Sequence, residues 1–161
     1  MITPETLLPV MPEPRYLPRN LHIDELIEVL VKEHAVMKEG LRRTKQAAER
    51  KDFEDASRSL RQLDEVFRQH IVDEEAHILR LLVDELGMKG AEKEIRVFQQ
   101  HRPIYRLMQI VSELAAKEAA DLSSEGAKLN VLFDEHAGAE EEFVFPRALA
   151  EEGHRQSVES K

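Results

Sequence analysis

Phe67-Arg68-Gln69-His70-Ile71-Val72-Asp73-Glu74-Glu75 and Phe133-Asp134-Glu135-His136-Ala137-Gly138-Ala139-Glu140-Glu141 are one pattern written twice. In each, an aromatic residue stands three positions before a histidine and a glutamate four positions after it. Positions three and four apart share one face of an α-helix, so ring, imidazole and carboxylate fall on a single stripe. The rise of about 1.5 Å per residue sets the carboxylate about 6 Å along the axis from the imidazole. Two further histidines precede these at similar distances, His34 before His70 and His101 before His136. One helical hairpin is used twice, and its repetition predicts a site with two similar halves.

Working outward, apolar residues recur with three-four spacing through four segments, which predicts helices over about 21–50, 53–86, 91–120 and 125–151. The first stripe reads Ile27, Leu30, His34, Met37, Leu41, Thr44 and Ala48. The second runs Phe53, Ala56, Leu60, Leu63, Phe67, His70, Glu74, His77 and Leu81, and the third Ile95, Phe98, His101, Tyr105, Met108, Ser112 and Ala115. The fourth is Leu129, Phe133, His136, Glu140, Phe143 and Arg147. Asp52 is placed to cap the second helix, and Gly87 and Gly90 to close it. Pro103 is expected to bend the third helix and free the carbonyl of Gln99, and Pro146 to bend or end the fourth. Short loops between long amphipathic helices imply antiparallel neighbours. The expected fold is therefore all-α, an antiparallel up-down-up-down four-helix bundle with one histidine per helix on its inner face.

Five of the seven prolines lie among the first eighteen residues. They forbid a helix there and favour extended chain. The expected organisation is a Pro-rich arm over 1–20, a bundle over 21–152 and a polar, frayed tail over 153–161. Leu7, Leu8, Val10, Met11, Tyr16 and Leu17 give the arm apolar surface, for strapping along the bundle or for a homodimer contact.

Composition narrows the classes. The net charge of −9 argues against nucleic acid and against anionic membrane surfaces. With no cysteine, disulfides, iron–sulfur clusters and thiolate zinc sites are excluded. No apolar run is long enough to span a bilayer, and the first residues lack the pattern of a secretory signal, so the expected location is the cytoplasm.

Imidazoles and carboxylates together suit iron, manganese or zinc. A lone histidine on an apolar stripe is more often a hydrogen-bonded core residue than a ligand. Four, one per helix, with two glutamates at the same depth, weigh the other way, because burying that set without a cation costs several kcal/mol of desolvation. The candidate ligands are His34, His70, Glu74, His101, His136 and Glu140, holding two metal ions with the carboxylates between them. Tyr105, His77 and Glu141 are candidates for an additional ligand or a supporting contact. Glu141 replaces Glu140 if the fourth helix is locally irregular. His22 and His154 sit at the margins.

Lys32-Glu33-His34, His70-Ile71-Val72-Asp73-Glu74-Glu75, Gln100-His101 and His136-Ala137-Gly138-Ala139-Glu140-Glu141, followed by Val144-Phe145-Pro146, together resemble the hemerythrin-like family of HHE cation-binding domains. The resemblance covers about Leu21 to Glu151. It implies a non-heme diiron centre, with His34 and His70 on one iron, His101 and His136 on the other, and Glu74 and Glu140 as bridges. Members of this family carry or store dioxygen, sense oxygen or iron, or act in nitric-oxide and oxidative stress responses. Oxygen carriers of the family have a second histidine four residues after the first on the third helix. This chain has Tyr105 there, which implies either phenolate ligation or a more open iron.

The leading expectation is a protein that binds or senses dioxygen, nitric oxide, peroxide or iron at a two-iron site. The alternative is an enzyme, a diiron oxidase or peroxidase or a nitric-oxide reductase. A third reading is a metal-free structural bundle. No catalytic residue is assigned, and no organic substrate is indicated.

Overall fold

The computed structural model describes residues 16–160. The part of the Pro-rich arm before Tyr16, and with it the expected dimer contact, lies outside the described residues, as does Lys161. Among the described residues there is no strand, and the helices line up into four rods. The first rod is α1 (Ile23–Glu49). The second is α2 (Phe53–Asp73), a π turn (Glu74–Leu79) and α3 (Arg80–Gly90). The third is α4 (Glu92–Gln99) followed by α5 (His101–Ala116). The fourth is α6 (Leu122–Ala139), a second π turn (Glu140–Val144) and α7 (Phe145–Glu159). α1 packs on α2 and α6, and α5 packs on the same two, which closes a ring of four.

The rods end where local chemistry stops them. Lys51, at φ 59°, turns the chain out of α1, and Asp52 caps α2 by accepting the Asp55 N–H at 3.1 Å. Gly87 has φ 73° and ψ 169°, a conformation open essentially to glycine alone, and it turns the chain toward α4.

Pro103 interrupts the third rod, as expected. The break falls at Gln100, beside the Gln99 carbonyl that Pro103 leaves without an N–H partner four residues on, and Pro103 itself lies in the first turn of α5. Three other expectations are corrected. The third rod ends at Ala116, with Glu118 at φ 52°, rather than reaching residue 120. Pro146 does not end the fourth helix. It occupies the start of α7, directly after the π turn has re-phased the backbone, and α7 runs on to Glu159. Residues 153–159 are therefore helical rather than frayed, and Arg155 pairs with Glu85 at 3.1 Å.

Two clusters of buried apolar side chains fill the interior. One includes Met37, Leu41, Leu60, Leu63, Phe67, Ile104, Met108, Leu129 and Phe133. The other includes Leu26, Leu30, Ile78, Leu82, Val97, Phe98, Val144 and Phe145. Along the first and third rods the second cluster comes earlier in the chain, and along the second and fourth rods it comes later. Between the clusters, on every rod, stand buried polar residues: His34, His70 and Glu74, His101, and His136 and Glu140. No helix among the described residues is long and apolar enough to cross a membrane.

Two glycines on these rods should respond oppositely to alanine. Gly87→Ala forces a side chain into a glycine-only conformation and should lower stability by about 1–3 kcal/mol. Gly138 lies within α6 with open space about its Cβ position, so Gly138→Ala should raise stability by about 0.5–1 kcal/mol. Denaturant unfolding of the two variants checks both signs, and equal shifts would contradict this account of the rods.

Candidate metal centre

His70 and Glu74 lie one turn apart on the second rod, and His136 and Glu140 one turn apart on the fourth. In each pair the glutamate is the first residue of a π turn. His34 comes from α1 and His101 from the first position of α5. All six side chains are buried.

They assemble as two imidazole pairs joined by two carboxylates. The His34 and His70 rings lie 4.8 Å apart, and those of His101 and His136 4.9 Å. Glu74 places Oε1 2.7 Å from Nε2 of His70 and Oε2 2.9 Å from Nε2 of His101. Glu140 places Oε1 2.6 Å from Nε2 of His136 and 3.5 Å from Nε2 of His34. Each carboxylate thus reaches one imidazole of each pair. Two foursomes result, His34, His70, Glu74 and Glu140, and Glu74, His101, His136 and Glu140. Within each, one donor atom per residue lies within 4.8 Å of every other.

These donors fit a metal ion. Nε2 of all four histidines and both oxygens of Glu74 and Glu140 are buried with no hydrogen-bond partner among the described residues. Several of the N···O separations are nevertheless short. The two facts agree if the lone pairs face shared space rather than each other, so that the contacts are close without hydrogen-bond alignment. Metal–ligand bonds of about 2.1 Å put neighbouring donors at right angles about 3 Å apart, the spacing seen here.

Contacts at the far ring nitrogens decide which nitrogen is available. Nδ1 of His70 lies 3.2 Å from Glu33 Oε1, Nδ1 of His101 3.1 Å from Glu75 Oε1, and Nδ1 of His136 2.9 Å from Gln100 Oε1. Those oxygens only accept, so each Nδ1 carries its proton and donates, leaving Nε2 free to bind a cation. His34 differs. Its Nδ1 has no hydrogen-bond partner among the described residues, Glu141 Oε1 stands 3.8 Å away, and its ring stacks on Phe145 at 5.7 Å.

The repeat seen in the sequence extends to these contacts. Glu33 precedes His34 and meets His70, while Gln100 precedes His101 and meets His136. Glu75 follows Glu74 and meets His101, while Glu141 follows Glu140 and approaches His34. Sequence reasoning left Glu33 and Gln100 unassigned, although each stands directly before a candidate histidine at equivalent places in the repeat.

Of the additional candidates, His77 and Glu141 lie outside both foursomes. Tyr105 is buried, and its hydroxyl accepts from the Arg68 guanidinium, which also binds Asp64 at 2.9 Å. His77 donates Nε2–H to the backbone oxygen of Arg19 at 2.8 Å. Glu141 is partly exposed beside His34, and the carboxylate brought inward by the fourth rod is that of Glu140.

Electrostatics follow from this crowding. Burial works against charge on His70, but the Glu74 carboxylate and the bond to Glu33 outweigh it and push its pKa up to about 10. Burial likewise opposes charge on His101, but the Glu74 carboxylate close by and the bond to Glu75 raise it to about 9. For Glu74, burial alone would raise the pKa, yet the facing imidazoles hold it well below the usual carboxylate range. Without metal, protons on the imidazoles compensate the buried carboxylates.

The fold and site define a helical bundle with a buried histidine–carboxylate centre suited to cations. The profile of the hemerythrin HHE cation binding domain matches residues 5–85, half of the chain. The chain belongs to the hemerythrin HHE cation-binding family. The matched span holds His34, His70 and Glu74, while His101, His136 and Glu140 lie beyond it and are joined to them by the bundle. No curated protein and no solved structure matches the chain.

Because His70 and His101 are protonated at neutral pH without metal, a cation must displace a proton from each. Metal binding at pH 7 should release protons, and affinity should rise with pH. Calorimetric titration with zinc in buffers of different ionisation enthalpy measures the release. In the metal-free protein, the raised imidazole values contribute stability that is complete below the ordinary value of 6.5 and lost as pH rises through about 9 and 10. Metal-free thermal unfolding followed from pH 6 to 10 should show that decline, and a flat profile would contradict the charged pairs.

Proposed function

We propose that this protein is a non-heme diiron protein of the hemerythrin type that binds or senses a small ligand, dioxygen or nitric oxide foremost. The observation that carries the reading is the division of each carboxylate between the two imidazole pairs. A carboxylate shared in this way offsets the repulsion between two cations held close together. The proposed ligands are His34 and His70 for one ion, His101 and His136 for the other, with Glu74 and Glu140 between them. Iron bound there would supply reversible one-electron chemistry and coordination positions open to a small ligand.

The surrounding residues shape what such a ligand meets. Phe67, Phe98, Phe133 and Phe145 set ring faces and edges against the imidazoles, which keeps the surroundings apolar. Glu33, Glu75 and Gln100 hold three imidazoles with Nε2 inward. With the Tyr105 hydroxyl engaged by Arg68, we assign the third rod a single donor, His101, which leaves its ion the more open to a ligand.

We also read the four rods as an antiparallel up-down-up-down bundle. The alternating order of the two apolar clusters along successive rods supports this, as does the pairing of His34 with His70 while Gly40 lies nearest Leu63. The bundle domain is taken as 21–152, extended by the rest of α7.

Metal analysis of protein made in iron-supplemented medium tests the assignment. Near two irons per chain are expected in the wild type and about one in His136→Ala. Glu74→Ala should lose both, because it serves both ions. Tyr105→Phe should keep the wild-type content. Folded wild-type protein that takes up no ferrous iron anaerobically would sink the reading. Anaerobic titration with nitric oxide, then dioxygen, follows. Reversible spectral change supports binding or sensing, whereas catalytic consumption of nitric oxide or peroxide would make the protein an enzyme.

A further inference from the structure

Residues 16–22 precede α1 and are not helical, yet they reach the metal centre's supports. Arg19 makes the contacts that reach Glu33 and His77, and it shares Asp73 with Gln69, which also binds the Leu17 carbonyl. Nη2 of Arg19 lies 2.9 and 3.0 Å from the two oxygens of Glu33, the residue that accepts from His70. Its Nε and backbone N–H donate to the two oxygens of Asp73 at 2.6 and 2.7 Å. Its backbone oxygen accepts from His77, inside the first π turn. Asp73 is fully buried and stands directly before Glu74. One side chain and its own peptide groups therefore tie together α1 beside His34, the end of α2 beside Glu74, and the π turn.

The two halves of the centre are not supported alike. In the His101–His136 half, both imidazoles have a hydrogen-bonded acceptor on Nδ1, Glu75 and Gln100. In the other half, His34 has none among the described residues, and His70 depends on Glu33. Glu33 retains some exposure and extends from α1 on a long side chain. Left alone it would hydrate and sample several rotamers. The planar guanidinium, which grips both of its oxygens, leaves it one geometry. Acceptors on the far nitrogen of a metal-binding histidine typically change affinity 10–100-fold.

We propose that Arg19 is a positioning residue for the His34–His70 half of the centre, acting through Glu33 on His70 and through Asp73 on the turn that carries Glu74. This rests on the two-metal reading above. The half that loses its only far-nitrogen support when Arg19 is removed should weaken, and the half with two independent supports should not.

Anaerobic cobalt(II) titration of the full chain, read by visible absorption with a competing chelator, separates the two binding steps. Arg19→Ala and Glu33→Gln should weaken one step about tenfold and leave the other within about twofold of wild type. Arg19→Lys, which keeps the charge and loses the fork, should show a smaller loss of the same sign, and it decides the matter if Arg19→Ala does not fold. Lys128→Ala, which removes an exposed bond to Glu125 at 2.8 Å near the start of α6, should change neither step. Proton–nitrogen spectra of the zinc-loaded Arg19 variants should show the His70 Nδ1–H exchanging faster with water, while those of His101 and His136 keep their positions. Wild-type affinities in Arg19→Ala would overturn the proposal, and so would equal weakening of both steps alongside a lower melting temperature. Failure of the wild type to take up cobalt would instead overturn the two-metal reading itself, and this proposal with it.

Discussion

Everything in this molecule accommodates one costly layer. Two carboxylates and four imidazoles sit at one depth in a helical interior, with apolar clusters above and below. An ionised carboxylate in such surroundings must be compensated, by protons on facing imidazoles or by cations. Both solutions demand the same geometry, nitrogen within about 3 Å of oxygen, so the rods must present these side chains in register. The rods that present them are joined by short connections, with turns at Lys51 and Gly87.

Much of this was legible in the chain. The four helices follow from three-four spacing, and the histidine-to-glutamate interval on two of them follows from the helical repeat. Reading those pairs as one site needed only the further step that four stripes meet. What the sequence left obscure depends on tertiary contacts. The hydroxyl of Tyr105 falls on the third-rod stripe four residues from His101, and periodicity alone points it inward. Its actual partner, Arg68, belongs to another rod, and no pattern within the third helix reveals that. His77 shares a face with His70 by spacing, but a π turn between them carries it away toward Arg19. Pro103 marked a true interruption, at Gln100, whereas Pro146 was over-read, because the π turn just upstream lets a new helix begin around it.

The supporting contacts show how a repeat can be kept in outline and altered in strength. Glu33 and Gln100 occupy equivalent places, as do Glu75 and Glu141, yet one member is an amide and another stands too far from its imidazole to bond. Two halves built from one hairpin therefore present their donor atoms in different surroundings. The N-terminal segment adds to the difference, because Arg19 meets only one of them.

The two π turns also have a bearing on how the far end of the bundle closes. A π turn holds one residue more than the α turn it replaces, and in a helix one residue is about 100° of rotation. Everything after Leu79 on the second rod and after Val144 on the fourth is thus turned by about that angle from where an unbroken helix would put it. α3 and α7, the two stretches so turned, pack against each other, and Arg155 reaches Glu85 across them. An extra residue in one rod alone would leave one apolar face swung away from its mate. Gain or loss of a residue in either turn is therefore tolerable only in concert with the other, which makes the two turns a matched set of shims in a single assembly.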